Sequence, residues 1–373
     1  MPSEAYRPID EASAAKSVTQ RRYLLITVSM VISLVAFIVQ TEYASKLAQT
    51  PYNKSIFIMY VTHSSWMLLL PLELVSLLIF KRQPVGHFLR HHGAHLYHTA
   101  QLIVAENRYN GSMVGYFVRT ALILTVALNV AGASWYLAVK WTSTSDLTAI
   151  YNCCAFFAYA FSIPLLNEAI NPVKVFSVVL SIVGVLTIVY GDGSHKSDEM
   201  PHRALGNLVI AVGSVLFGLY EVLYKRIACP PQSISSKRQA AFSAVVASML
   251  GATTFLCMWP AVVFVHISGL ERFALPNTHQ ATYLVICVLS NMLYCLSFLV
   301  LMTLTSPVIG SVSSMLTTFL VPVTNWVLYG TQLSTSALIG GTTVVIALFI
   351  LIVASMQELE ETGEDDISED VLL

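Results

Sequence analysis

YLLITVSMVISLVAFIVQT, Tyr23–Thr41, is the stretch on which the fold turns. Its 19 residues contain no acid, no base and no proline. A helix needs roughly 20 apolar residues to cross the hydrocarbon core of a bilayer, and in lipid each backbone N–H and C=O must find a partner inside the segment. The stretch therefore reads as a membrane-spanning helix. Residues 1–22 before it are polar and lack the layout of a cleaved signal peptide, so the first span is expected to insert and stay behind a cytosolic N-terminal segment.

The same character recurs along the chain. Further spans read as Ile56–Phe80, Tyr116–Val139, Leu147–Leu166, Val173–Tyr190, Leu205–Tyr224, Phe242–Val265, Tyr283–Leu304, Val308–Leu328 and Ala337–Met356. Prolines and polar residues at Asn167–Pro172 and Thr305–Pro307 divide what would otherwise be over-long runs. Composition agrees. Of 373 residues 55% are hydrophobic and 11% charged, where a soluble domain is about a quarter charged. The expected fold class is an all-α membrane protein with ten transmembrane helices. The lipid bilayer is the expected partner, with no nucleic acid.

Lysine and arginine set orientation, because cytosolic segments retain them. Fourteen fall in one set of segments, from Arg7 to Arg238, and six in the other (Lys46, Lys54, Lys140, Lys196, Arg203 and Arg272). Both termini are then cytosolic, which demands an even number of spans. Lys81–Gly115 is the longest cytosolic loop, and part of it is expected to lie as a helix on the membrane. From Met356 to Leu373 there are eight acids and no base; removing them takes the net charge of the remainder from −1 to +7. Residues 357–373 are expected to be an acidic, disordered cytosolic tail. The six cysteines form no CxxC, so neither a disulfide framework nor a zinc site is expected.

Two stretches look alike, Trp141–Leu186 and Leu304–Phe349. An offset of 163 aligns Thr142–Ser143 with Thr305–Ser306 and Ser177 with Gly340. TEYASK (Thr41–Lys46) and YEVLYK (Tyr220–Lys225) form a second pair, each E-x-x-x-K at a helix end. The expected organisation is a first five-helix repeat over 23–190, an exoplasmic linker over 191–204 and a second repeat over 205–356. Five is odd, so the second copy enters from the opposite face and the repeats are inverted, as in many secondary transporters.

TPYNKSIFIMYVTHSSWMLLLPLELV (Thr50–Val75) resembles the second-helix region of the drug/metabolite transporter superfamily, in the branch grouped with solute carrier family 35, subfamily F. FGLYEVLYKR (Phe217–Arg226) resembles the sixth helix of that branch. PLLNEAINPVKVFSVVLSIVGVL (Pro164–Leu186) resembles the fourth-to-fifth helix motif of EamA-type repeats, with Glu168 at the glutamate of a Gly-Glu pair. Asn167 stands where that motif has glycine, and Thr331 where the second repeat has glutamate. The resemblance covers roughly residues 20–355. It implies transport of a metabolite: members carry nucleotide sugars, amino acids, thiamine-like compounds and others.

Ionisable groups inside spans are costly, and each is a functional candidate. Glu73 is the deepest and the candidate for proton coupling, since apolar surroundings favour a neutral carboxyl. Glu42, Asp146, Glu168 and Glu221 are expected near helix ends within reach of water. Glu42 and Glu221 are gate candidates at opposite faces, each with its own lysine four residues on as a competing partner, Lys46 and Lys225. Tyr60, Thr62, His63, Ser64 and Ser65 cluster on the second span and cannot all face lipid. With Asn291 and Tyr294 on the eighth, Tyr60, Thr62, His63 and Ser64 are the substrate-path candidates, against the alternative that such groups bond neighbouring helices. Asn129 and Asn152 are weaker candidates of the same kind. Gly132, Ser177, Ser181, Gly184, Gly340 and Gly341 read as close helix packing.

His87, His91, His95 and His98 form one helical stripe beside His92. Membrane di-iron enzymes need several such boxes converging on one side; here the other histidines are in a span or map to the opposite face, so no catalytic metal and no cofactor are expected. No GxxxxGK[ST] loop occurs, which argues against intrinsic ATP hydrolysis. The leading function is a secondary carrier of a small polar metabolite, not an enzyme. The alternative is a non-transporting receptor or trafficking partner. The tail ends Ser368-Glu-Asp-Val-Leu-Leu. With phosphorylated Ser368 supplying the acid four residues before Leu372 and Leu373, it matches an acidic dileucine sorting signal and a cytosolic adaptor. That points to an endosomal, lysosomal or vacuolar membrane, with Golgi as the alternative. A homodimer is compatible with all of this.

Overall fold

The structure, a computed structural model, describes residues 8–48, 50–52, 54–81, 85–138, 141–142, 144–191, 202–330 and 332–372. Asn53, Arg82, Lys140, residues 192–201 of the linker, Thr331 and Leu373 lie outside them, as do the side chains of Asp146, Ser368 and Leu372.

Among the described residues every regular element is helical. In chain order they are α1 (Pro8–Ala48), α2 (Ser55–Ser64), a 3₁₀ turn (Ser65–Leu68), α3 (Leu69–Lys81), α4 (Val85–Glu106), α5 (Met113–Ala138), α6 (Thr144–Asn152) and α7 (Cys154–Leu166). They continue with α8 (Pro172–Tyr190), α9 (Arg203–Ile227), α10 (Ser236–Ile267), α11 (Thr278–Leu304), α12 (Pro307–Tyr329) and α13 (Thr335–Leu372). Ten stretches of these helices are long and apolar enough to cross a membrane, from Gln20–Ala44 to Thr335–Ser355. The protein is a multi-pass membrane protein. The second span consists of α2, the 3₁₀ turn and α3, and the fourth of α6 and α7.

The seventh and eighth spans start earlier than their apolar runs. At α11 the reason is a capping box: Asn277 Oδ1 accepts the Gln280 N–H at 2.9 Å, and Gln280 Oε1 accepts the Asn277 N–H at 3.0 Å. Polar residues thus nucleate a helix that continues into the hydrocarbon.

Packing inverts the pattern of a soluble bundle. On α5, Leu124, Leu128 and Ala131 are buried, yet the outward residues Val118, Leu122, Val126 and Val130 are equally apolar. Lipid gives no hydrophobic incentive to associate, so close backbone approach matters instead. It is close where α8 meets α13. A Cβ on Gly184 would stand 2.8 Å from the Gly340 carbonyl oxygen and 2.7 Å from Val344 Cγ2. α1 lies along α11, α5 along α9, and the second span along α10.

Asn167 ends α7 in the left-handed conformation, with φ 57°, and Gly330 ends α12 with φ 67°. These positions differ by the offset of 163. Asparagine is the residue other than glycine that tolerates this conformation best, which accounts for the departure at Asn167. At the same offset, Asn171 accepts the Val173 N–H at the start of α8, and Ser334 accepts the Ala337 N–H at the start of α13.

Basic side chains at one face of the bundle grip helix C-termini. Arg22 Nη2 donates to the Leu304 carbonyl at 2.9 Å and to Gln232 Oε1 at 2.8 Å. Lys225 Nζ donates to the carbonyls of Met302, Thr303 and Thr305 at 3.1, 2.7 and 2.8 Å. Arg226 donates to the Leu165 carbonyl at the end of α7. Each satisfies carbonyls that a helix end leaves open and opposes its negative dipole.

Two loops differ from expectation or sharpen it. The loop after the second span contains a 22-residue helix, α4, whose Phe88, Thr99, Ala100 and Ile103 are buried. The acidic segment expected to be disordered continues α13 as helix to Leu372. Propagating an existing helix adds one hydrogen bond per residue and avoids the cost of nucleation, and glutamate is a good helix former.

Candidate functional site

The second span breaks in its middle. Pro71 has no N–H to offer the Met67 carbonyl, so the ladder is already short by one bond. Ser248 of α10 enters the next gap: its Oγ accepts the Leu70 N–H at 2.7 Å and donates to the Trp66 carbonyl at 3.2 Å. In a regular helix those two groups would bond each other. Gly251, one turn on, makes room, since a Cβ there would stand 2.7 Å from the Trp66 carbonyl carbon.

The break aims a set of polar side chains into the bundle. The Trp66 indole N–H donates to Asn291 Oδ1 of α11 at 2.6 Å. The rings of His63 and Trp66 have centroids 4.7 Å apart. His63 Nδ1 lies 3.0 Å from Asn129 Oδ1 of α5. Asn129 Nδ2 donates to the Thr125 carbonyl at 2.9 Å and to Thr254 Oγ1 of α10 at 3.1 Å. A carbonyl only accepts, which fixes the Asn129 amide and leaves its oxygen to accept from Nδ1–H. A polar chain thus runs Thr254–Asn129–His63–Trp66–Asn291 through four spans.

Of the path candidates, His63 and Asn291 are brought together through Trp66. Ser64 is buried, and its Oγ has no hydrogen-bond partner among the described residues. Tyr60 turns to α10, where its hydroxyl donates to the Phe255 carbonyl at 3.3 Å. Thr62 bonds carbonyls of its own helix at 2.8 and 3.0 Å. Tyr294 packs between Phe37 and Phe298, with centroids 5.2 and 5.4 Å away. Sequence reasoning passed over Trp66, Ser248 and Thr254. An indole reads as apolar until its N–H partner, here 225 residues distant, is known.

The carboxylates separate. Glu221 is 0% exposed. Ser311 of α12 donates to its Oε2, and Oε1 has no hydrogen-bond partner among the described residues. The expectation of an acid near a helix end within reach of water is therefore corrected, and its competing partner Lys225 does not pair with it. Lys225 instead reaches the carbonyls at the end of α11, where three acceptors outbid one side chain. Glu42, on α1, and Glu73, on α3, are half-buried. Glu73 Oε2 has no hydrogen-bond partner among the described residues. Glu168 pairs with Lys174 at 3.7 Å, between α7 and α8. No group of three or more histidines, cysteines or carboxylates is placed to hold a metal ion among the described residues.

At the other face Glu271 caps α2. Its carboxylate accepts the Ile56 N–H at 3.0 and 3.1 Å and the Phe57 N–H at 3.4 Å.

No family model matches the chain. An uncharacterized transporter of Schizosaccharomyces pombe is 26% identical over 59% of this chain and 63% of its own. The match thus spans less than two thirds of that relative's length. Thiamine-repressible mitochondrial transport protein THI74 of Saccharomyces cerevisiae is 24% identical over 74% of this chain and 76% of its own. Solute carrier family 35 member F3 of Homo sapiens is 24% identical over 31% of this chain and 26% of its own. These relatives are named as transporters. Their names agree, at low identity, with the resemblance to solute-carrier-35-like drug/metabolite transporters. A solved crystal structure shares the fold, with TM-score 0.60 and 11% identity over 89% of this chain and 98% of that one.

Proposed function

We propose that the chain is a secondary carrier that moves a small polar metabolite across its membrane by alternating access, without hydrolysing ATP. The observation that carries this reading is the polar chain from Thr254 to Asn291 at the break of the second span. Polar groups at membrane depth are costly, and discontinuous helices are where carriers build midplane sites. His63, Ser64 and Asn291, with Trp66 between them, are the proposed contacts for substrate. Glu221 and Glu73 are the proposed coupling acids, and Glu42 a gate at the exoplasmic end.

An inverted pair of five-helix repeats, 23–190 and 205–356, fits this reading. Exchanging the first five spans for the last five turns the pairing of first with eighth into that of sixth with third, and both are present; the second–seventh and fifth–tenth pairings map onto themselves. The matched helix ends at Asn167 and Gly330 support the same offset. The transporter names of the relatives support the class of function and leave the substrate open.

The test is uptake of a panel of small polar metabolites into liposomes carrying the purified protein. For whichever solute is concentrated or exchanged, His63→Ala and Asn291→Ala are expected to raise KM or lower kcat at least about tenfold, the worth of one good hydrogen bond to a buried group. Normal transport by both variants would leave the polar chain a purely structural feature.

A further inference from the structure

We propose that the outward face of α4 is a binding surface for the headgroups of anionic phospholipids, one that strengthens as its histidines gain protons. α4 connects the second and third spans, so both of its ends are tied to the same membrane surface. Its length is roughly 33 Å at 1.5 Å per residue. Phe88, Thr99, Ala100 and Ile103 fasten its inner side. His87, Arg90, His91, His95, Tyr97 and His98 are exposed. The rings of His87 and His91 are 6.2 Å apart, and those of His91 and His95 are 4.5 Å apart.

Among the described residues this column has almost no counter-charge on the helices packed against it. The helices packed against α4 are α10 and α5. Their basic groups are Lys237, Arg238 and His266 on α10 and Arg119 on α5; the other titratable side chains there, Cys257, Tyr116 and Tyr136, carry no charge at neutral pH. Glu106, at the far end of α4, is the only acid on the three helices. A protonated histidine column here therefore needs negative charge from outside. Tyr97 adds an amphipathic ring suited to the headgroup level.

The anchor at α10 makes the surface sensitive to protons. Arg238 donates to Thr99 Oγ1 at 2.8 Å, to the His95 carbonyl at 3.4 Å, and to His98 Nδ1 at 3.2 Å. Guanidinium only donates, so His98 Nδ1 accepts and the ring is neutral. Protonation of His98 removes that acceptor and sets two cations face to face. Partial loss of water around its exposed ring, then the neighbouring charges of His91, Arg238 and His98, lower the pKa of His95 from the ordinary histidine value. The sign follows: neutral histidines favour docking of α4 on α10, that contribution fades as pH falls through the lowered value, and the freed, charged face then gains from an anionic surface. Each basic group close to such a surface biases binding about fivefold.

The experiment is hydrogen–deuterium exchange of residues 85–106 in the full chain. The protein is held in nanodiscs of phosphatidylcholine alone or of phosphatidylcholine with phosphatidylserine, at about pH 8 and about pH 5, the range over which histidine changes charge. Lipids are compared at the same pH. We expect phosphatidylserine to slow exchange about 25-fold at the acid pH, as two such charges would, and much less at the alkaline one. Replacing His87, His91, His95 and His98 by glutamine should abolish the acid-side effect, and replacing them by lysine should give it at both pH values. Equal exchange in the two lipids at acid pH, or an effect that survives in the glutamine variant, overturns the proposal. So does loss of the effect on deleting residues 357–373, which would make the acidic tail the partner.

Discussion

Glu221 and Lys225 show how a residue's neighbours in sequence can mislead. Their spacing of four suits an ion pair on one helix face. Yet Lys225 lies against three carbonyls at the end of α11, those of Met302, Thr303 and the following Thr305, and Glu221 is buried against Ser311. The prediction is additivity. Glu221→Gln keeps the volume and the acceptor for Ser311 and should leave the melting temperature of the detergent-solubilised protein nearly unchanged. Lys225→Met leaves carbonyls at the end of α11 without a donor and should cost about 1–3 kcal/mol. The double variant should equal the sum within about 0.5 kcal/mol. A coupling well above that would restore the ion pair. Glu221 itself was legible as a candidate, because an acid between apolar runs is conspicuous. Its burial was not, since depth depends on which helices close over it.

At the scale of elements, length and apolarity carry most of the information. Each expected span is present, and the fourth has the expected bounds, Leu147–Leu166. The break inside the second span is another matter. Pro71 marks its neighbourhood, but its position is set by Ser248 and Gly251, which belong to a helix some 180 residues later. No local pattern states that partnership. Ser248→Ala should leave the Leu70 N–H and Trp66 carbonyl without their bridge and cost about 1–3 kcal/mol, measured by unfolding in mild detergent. The start of α2 gives a second test at the opposite end of the same span. Glu271→Ala removes a carboxylate that accepts from Ile56 and Phe57. The expected loss is about 1–2 kcal/mol, the usual cost of a lost N-cap. Glutamine there should recover part of it.

For the whole molecule, charge distribution predicts orientation, and glycosylation reads it. Asn110-Gly-Ser lies between α4 and α5, on the side that carries Arg22 and Lys225, and should remain unmodified in cells. A sequon built into the segment between α10 and α11 should acquire a glycan; the reverse pattern would turn the topology over. Location makes a separate prediction. Leu372→Ala with Leu373→Ala should redirect the protein from an endosomal, lysosomal or vacuolar membrane to another, and unchanged localisation would remove the sorting role. Both inferences use segments outside the spans, where sequence speaks directly. The basic side chains at the bundle's end do more than mark a side, however. Arg22, Lys225 and Arg226 bond carbonyls of the protein itself. Such bonds form just as well in a molecule inserted upside down. Packing therefore does not distinguish the two orientations, and the charge of the flanking segments alone sets them apart. A misinserted copy is expected to be compact, stable and invisible to any quality control that detects unfolding, so orientation is decided once, during synthesis.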